Sequence, residues 1–120
     1  MILTISRRWP VGRADSGSML NDREIWLARM DKTRPVVILT RSTVLPYLRT
    51  VTVAVVTSTI RGVSTEVHVG PANGLDHQSV ISLDNVQTIA KSMLLRRVGA
   101  LLPEQEQALG DAIRIAFDLG

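Results

Sequence analysis

The chain has 120 residues, 45% of them hydrophobic and 21% charged, which suits one domain with a modest core and excludes both a wholly disordered chain and a two-domain protein. Cysteine is absent, so disulfides, thiolate zinc sites and cysteine nucleophiles are ruled out, and no stretch approaches the roughly 18 apolar residues that a membrane-spanning helix needs. The 14 basic and 11 acidic side chains give a net +3. Only Lys32 and Lys91 are lysine; the other basic residues are arginine, which suits bidentate phosphate contacts but which a GC-rich genome would also favour. Arg7, Arg8 and Arg13 against Asp15 give the first 18 residues +2 and leave +1 for the rest, so a nucleic-acid site must be a local patch.

The N-terminal stretch holds Ser6-Arg7-Arg8-Trp9, but the apolar run that a twin-arginine export signal requires does not follow. Pro10, Gly12, Ser16, Gly17 and Ser18 follow instead, so residues 1–20 read as a flexible lead before a domain over 21–120. Two alternatives stand beside this reading: a translation start near Met19, and an ordered extra strand over residues 2–5. Glu24–Arg29 reads as a strand with Ile25 and Leu27 on one face, and Asp31-Lys32-Thr33 as a turn. Arg34-Pro35 opens the β-branched run 36–39, where Pro35 belongs at a strand start or on an edge. Residues 40–49 form a loop with Pro46 and Tyr47. Residues 51–56 are the most strand-like window and end in Thr57-Ser58-Thr59. After a break at Arg61-Gly62 comes a short strand over 65–69, then a turn cluster over 70–74. Residues 79–83 and 86–89 read as one bent strand or two adjacent ones, with Asp84 and Asn85 as turn residues, and 94–101 as a further strand.

The end of the chain reads as a helix opened by Pro103, with Glu104 and Glu106 at its positive dipole end. Leu109, Ala112, Ile113, Ala116 and Phe117 fall on one apolar stripe. Leu102 is a poor N-cap, and Gly110 weakens the helix unless it permits close packing. Several short strands and one amphipathic helix predict a mainly β domain with a C-terminal α-helix, arranged as a small β-barrel. A barrel of this size leaves apolar surface over, which favours a dimer.

The common catalytic signatures are missing: no GxSxG elbow, no Gly-rich phosphate loop, no HExxH. His68, His77 and Asp76 are too few for a metal site on spacing alone. What remains is Arg34 before one strand and Thr57, Ser58 and Thr59 after another. An arginine beside hydroxyls at a barrel rim suits a phosphodiester and the charge that develops as it is cleaved, though arginines beside strands also simply solvate edges.

Glu24-Ile25-Trp26-Leu27 followed by Thr33-Arg34-Pro35-Val36-Val37-Ile38 resembles the opening of the MazF/PemK toxin endoribonucleases. Val55-Val56-Thr57-Ser58-Thr59-Ile60-Arg61 resembles their second motif. Thr65-Glu66-Val67 with Gly74-Leu75-Asp76-His77-Gln78-Ser79-Val80-Ile81 resembles their third. Leu83-Asp84-Asn85-Val86-Gln87-Thr88-Ile89 and the helix opened by Leu102-Pro103-Glu104 complete the order, covering about residues 21–119. The resemblance implies an SH3-like barrel of the MazF/PemK/CcdB type and a cytoplasmic homodimer. It implies metal-independent, cofactor-free cleavage of single-stranded RNA (mRNA, with rRNA or tRNA as further candidates) to 2′,3′-cyclic phosphate and 5′-hydroxyl ends. It also implies a MazE-like antitoxin whose acidic, apolar tail covers the site. Arg34 matches the family's catalytic arginine and Thr57 its active-site threonine. Ser58, Thr59, Arg61, Tyr47, Gln87 and Lys91 are the expected RNA contacts, and Arg41 and Arg49 could steer RNA. Of the adjacent Arg96 and Arg97, at most one can face a groove.

The chain departs from the family pattern in three places. Arg29-Met30-Asp31-Lys32-Thr33 replaces a longer Gly-Ser-Glu-Gln-like loop, which removes an acidic residue for which Asp31 is the partial substitute. Gln87 stands for a common arginine and Ala90 for a common aspartate. The alternatives to a nuclease are a non-cleaving toxin of the same shape, binding RNA or poisoning a topoisomerase as CcdB-type toxins do, and a degenerate toxin that only titrates antitoxin.

Overall fold

Runs of valine, isoleucine and threonine dictate most of the architecture. The computed structural model describes residues 20–118, so residues 1–19 of the lead and the candidate strand over 2–5 lie outside the described residues, while Leu20, read as part of the lead, is buried in the core with Trp26 and Val36. Six strands and one helix follow in chain order: β1 (Glu24–Arg29), β2 (Thr33–Ile38), β3 (Thr50–Thr57), β4 (Glu66–Val69), β5 (Ser79–Ala90), β6 (Leu94–Ala100) and α1 (Pro103–Ala116). The strands form one sheet in the order β4-β5-β3-β2-β1-β6, and every pairing is antiparallel. Pro35 lies inside β2 rather than at its start or on a sheet edge, but β2 meets β3 only from Val36 onward, so at Pro35 the strand is paired with β1 alone. Residues 79–90 form one bent strand: its register against β3 jumps from Ser82↔Val55 to Val86↔Ala54. Asp84 and Asn85 sit in that bulge instead of a turn, and Asp84 accepts a 2.6 Å hydrogen bond from Thr65 Oγ1.

Alternation along β3 divides the core between the two faces of the sheet. Ala54 and Val56 join Ile25, Val37, Val67, Val69, Ile81 and Leu83, and this face is covered by Leu109 and Ala112 of α1. Val51, Val53 and Val55 join Trp26, Ala28, Val36 and Ile38 on the other face, capped by Leu45 from the β2–β3 connection. Each fully buried valine, leucine or isoleucine among them contributes about 1.5–3 kcal/mol. The helix stripe ends earlier than its sequence suggests: Ile113 and Ala116 are partly buried against the core, but Phe117 is 52% exposed beyond the last turn. Gly110 has nothing within 3.9 Å of where a Cβ would stand, so it serves no close packing.

The cap that Leu102 lacks comes from Gln105, whose Oε1 accepts the Leu102 N–H at 2.9 Å. The same amide meets the buried Asn73 twice, donating to its Oδ1 at 3.1 Å and accepting from its Nδ2 at 2.6 Å. Asn73 also accepts from Gly70 N–H and donates to the Ala100 carbonyl. The sheet therefore curls: the turn that follows edge strand β4 reaches the end of the opposite edge strand β6. Close approach requires glycine on both sides. A Cβ on Gly99 would stand 1.9 Å from the Asn73 carbonyl oxygen, and one on Gly74, at φ 89°, would stand 2.3 Å from that of Val98.

Candidate active site

The turn between β1 and β2 sets up the first component. Asp31 stands three residues before Arg34, and the short turn folds its carboxylate back onto the guanidinium. Arg34 donates from Nε to Oδ1 at 2.9 Å and from Nη2 to Oδ2 at 3.0 Å. This two-pronged geometry fixes the guanidinium plane while leaving Nη1 and the outer Nη2 hydrogen to donate elsewhere. The pair is solvated, with side-chain exposures of 31% for Arg34 and 68% for Asp31. Hydrogen bonding from Arg34 holds the Asp31 carboxyl far below the usual carboxylate range, and the same bond pushes the Arg34 guanidinium up.

The β2–β3 register supplies the second component. Val36 pairs with Val55, Val37 with Ala54 and Ile38 with Val53. Continued two steps beyond Val36, that register sets Arg34 across from Thr57, on the face that carries Val36 and Val55. Thr57 Oγ1 accepts the Thr59 N–H at 3.1 Å, which occupies a lone pair and leaves the hydroxyl proton to donate. Ser58 and Thr59 follow directly and are exposed.

From Thr57 the chain must cross β5 to reach β4, because β5 lies between them. Glu66, the first residue of β4, pairs with Ser82 and collects this crossing. Its carboxylate accepts from the N–H of Arg61 at 3.1 and 3.2 Å, of Gly62 at 2.8 Å and of Val63 at 3.4 Å. Partial desolvation pushes the Glu66 carboxyl up, and these three backbone donors outweigh it and hold it below its ordinary value.

The remaining expected RNA contacts separate along the sheet. Gln87 pairs with Val53, on the same face as Thr57 but four residues, or about 13 Å, down the strand. It donates to Asn85 Oδ1 at 3.0 Å. Tyr47, 85% exposed, and Lys91 lie at the other end, where Thr50 pairs with Ala90, seven residues or about 23 Å along β3 from Thr57. Lys91 Nζ donates to the Leu45 carbonyl, so its ammonium anchors the loop that plugs the core. Arg97 is engaged by Glu24 at 3.0 Å, while its neighbour Arg96 is exposed. Among the described residues no group of three or more His, Asp or Glu side chains converges as a metal site.

The extended β2–β3 register thus sets Arg34 on the same sheet face as Thr57, which Ser58, Thr59 and the Arg61 segment follow, and the structure separates Tyr47 and Lys91 from Thr57 along β3. Sequence reasoning gave Asp31 only a substitute's part and gave Glu66 no role. A carboxylate three residues from the key arginine across a turn, and one four residues past the glycine of a break, were the available signals.

The family model for the PemK-like, MazF-like toxin of type II toxin-antitoxin systems matches residues 21–117. Endoribonuclease MazF3 of Mycobacterium tuberculosis is 55% identical over 97 residues, spanning 81% of this chain and 94% of that protein. Probable endoribonuclease MazF5 of the same organism is 35% identical over 98 residues, spanning 79% and 90%. Among solved structures, the Mycobacterium tuberculosis toxin MazF-mt6 superposes with a TM-score of 0.80 at 54% identity, covering 82% of this chain and 99% of that one. A mycobacterial endoribonuclease in complex with its cognate antitoxin shares the fold at a TM-score of 0.77 and 20% identity.

Proposed function

The chain belongs to the PemK/MazF family of type II toxins, and on that premise we propose that it is an endoribonuclease cutting single-stranded RNA by transesterification, without a metal or other cofactor. The observation that supports the reading is the β2–β3 register, Val36 against Val55, which extended by two residues sets Arg34 across from Thr57 on one sheet face. The 2′-oxygen attacks the adjacent phosphorus and loses its proton, the bond from phosphorus to O5′ breaks, and O5′ gains a proton. The products are a 2′,3′-cyclic phosphate and a 5′-hydroxyl. Negative charge grows on the non-bridging oxygens along that path. Arg34, its plane set by Asp31, meets it with Nη1 and Nη2, and the Thr57 hydroxyl donates to a second oxygen. Ser58, Thr59 and the Arg61 side chain hold neighbouring nucleotides, and Gln87 meets a base or phosphate further along the face. The protein acts as a homodimer in the cytoplasm, and a MazE-like antitoxin with an acidic, apolar tail restrains it. No described helix is long and apolar enough to cross a membrane.

The test is cleavage of a long single-stranded RNA by the antitoxin-free protein in the presence of a chelator, with both new ends mapped. Discrete cuts with cyclic-phosphate ends are expected. Arg34→Ala should lower kcat by about 10²–10³-fold, as removal of a transition-state donor does, while the far-ultraviolet circular dichroism and melting temperature stay unchanged. No cutting by a folded wild-type protein, or normal cutting by Arg34→Ala, would overturn the assignment.

A further inference from the structure

We propose that Glu66 is a positioning residue whose carboxylate pins the crossing segment over residues 58–63 beside Arg34 and Thr57, and so helps set which RNA sequence is held for cleavage. The proposal rests on the ribonuclease reading above. Its carrying observation is the convergence of three successive backbone N–H groups, from Arg61, Gly62 and Val63, on one carboxylate.

Nothing else described in this segment would hold it as firmly. Ile60 and Val63 are 43% and 46% exposed, so it has no buried apolar anchor. Gly62 has a φ of 78° and no atom within 4 Å of where a Cβ would stand, so packing does not impose its conformation. The ties are polar: Thr59 N–H to Thr57 Oγ1 at the start, and the Glu66 carboxylate at the end, reinforced by Glu66 N–H to the Val63 carbonyl at 3.1 Å. Glu66 is itself held in the sheet by its pairing with Ser82. That pairing puts it on the same face as Arg34 and Thr57, because Ser82 in turn faces Val55. One anchor is therefore the proposed catalytic hydroxyl and the other is a strand residue on the same surface.

An exposed carboxylate beside an RNA path would repel phosphate if its charge were unmet. Here both oxygens are spent on backbone donors, with the Arg61 side chain also attracted to it. Glu66 thus acts through the segment it orders and not by touching RNA. Without it, RNA would have to order the segment on binding, which weakens binding and blurs discrimination more than it slows the chemical step.

The experiment compares wild type, Glu66→Ala, Glu66→Gln and Gly62→Ala on a mixed-sequence RNA and on a short RNA carrying the wild-type cut site. KM, kcat, the distribution of cut sites and backbone amide exchange at residues 61–63 are measured. Glu66→Ala should raise KM about tenfold with kcat within about twofold, the reverse of the Arg34→Ala pattern. It should shift cutting toward secondary sequences and speed exchange of the three amides. Glu66→Gln keeps one acceptor oxygen of the same shape and should fall between. Gly62→Ala strains the segment at φ 78° while keeping the Glu66 carboxylate and the residue 62 N–H, and should shift KM and the cut sites in the same direction. If Glu66→Ala fails to fold, the Gln and Gly62 variants decide by the same readouts. Unchanged exchange, or faster exchange with unchanged KM and cut sites, would overturn the proposal. A folded wild type that cuts no RNA would instead overturn the ribonuclease reading, and the specificity role would fall with it. The exchange data would then still report whether Glu66 orders the segment.

Discussion

Asp31 spends both carboxylate oxygens on Arg34, and this has a consequence for pH dependence. A carboxylate whose folded pKa is depressed contributes stability that is complete above its ordinary value of about 3.9 and is lost as pH falls through the folded value. For Asp31 that loss lies in strong acid, so neither partner changes charge between pH 5 and 9. Any limb of the pH–rate profile in that window belongs to another group, and Asp31 is not the group whose protonation state limits the rate there. Asp31→Asn should therefore lower kcat by loosening the guanidinium, leave the positions of the limbs unchanged and leave the melting temperature close to wild type. A limb that moves in the variant would contradict this. The sequence marked Arg34 and Thr57 only as a basic residue and a hydroxyl at strand ends; the family resemblance supplied their roles. Their facing each other depends on pairing between segments 23 residues apart, which spacing alone does not reveal. Tyr47 and Lys91 drifted from the site for the same reason: their distance along β3 is a register fact.

At the level of elements, the β-branched runs made the strands legible and the apolar stripe made α1 legible. What stayed hidden was where regularity breaks. The bulge in β5 depends on β3 pairing on one side and β4 on the other, and the end of the apolar stripe at Phe117 depends on where the sheet stops. The helix start at Pro103 was legible, but its cap was not, because the capping group comes from Gln105 three residues on and not from Leu102 itself. Gly110 is a sharper case. It lies mid-helix with nothing close to its missing Cβ, so its flexibility brings no packing benefit. Gly110→Ala should stabilise the protein by about 1 kcal/mol and raise the melting temperature by about 4–8 °C, measured by thermal unfolding. A fall in melting temperature would show that the small residue is required.

The whole molecule depends on one closure. An open six-stranded sheet would present two free edges, and edges invite pairing with other chains. Here the turn after β4 seats against β6 through Asn73, Gly74 and Gly99, and the Gln105 amide ties that junction to α1. Because a Cβ on Gly99 would collide with backbone and not with a side chain that could swing away, Gly99→Ala should cost about 1–3 kcal/mol or more, read as a lowered urea midpoint. An unchanged midpoint would mean that the junction is free to give. Glycines in a turn cluster were visible in the sequence, but their tight seating on a strand 25 residues later belongs to the folded shape.

The facing of Arg34 and Thr57 also works as a parity check. Side chains alternate along a strand, so slipping the β2–β3 pairing by a single residue would send one of the two to the wrong side of the sheet. On the proposed site, only the native β2–β3 register would set Arg34 and Thr57 on one face, so a slipped copy would lack that arrangement.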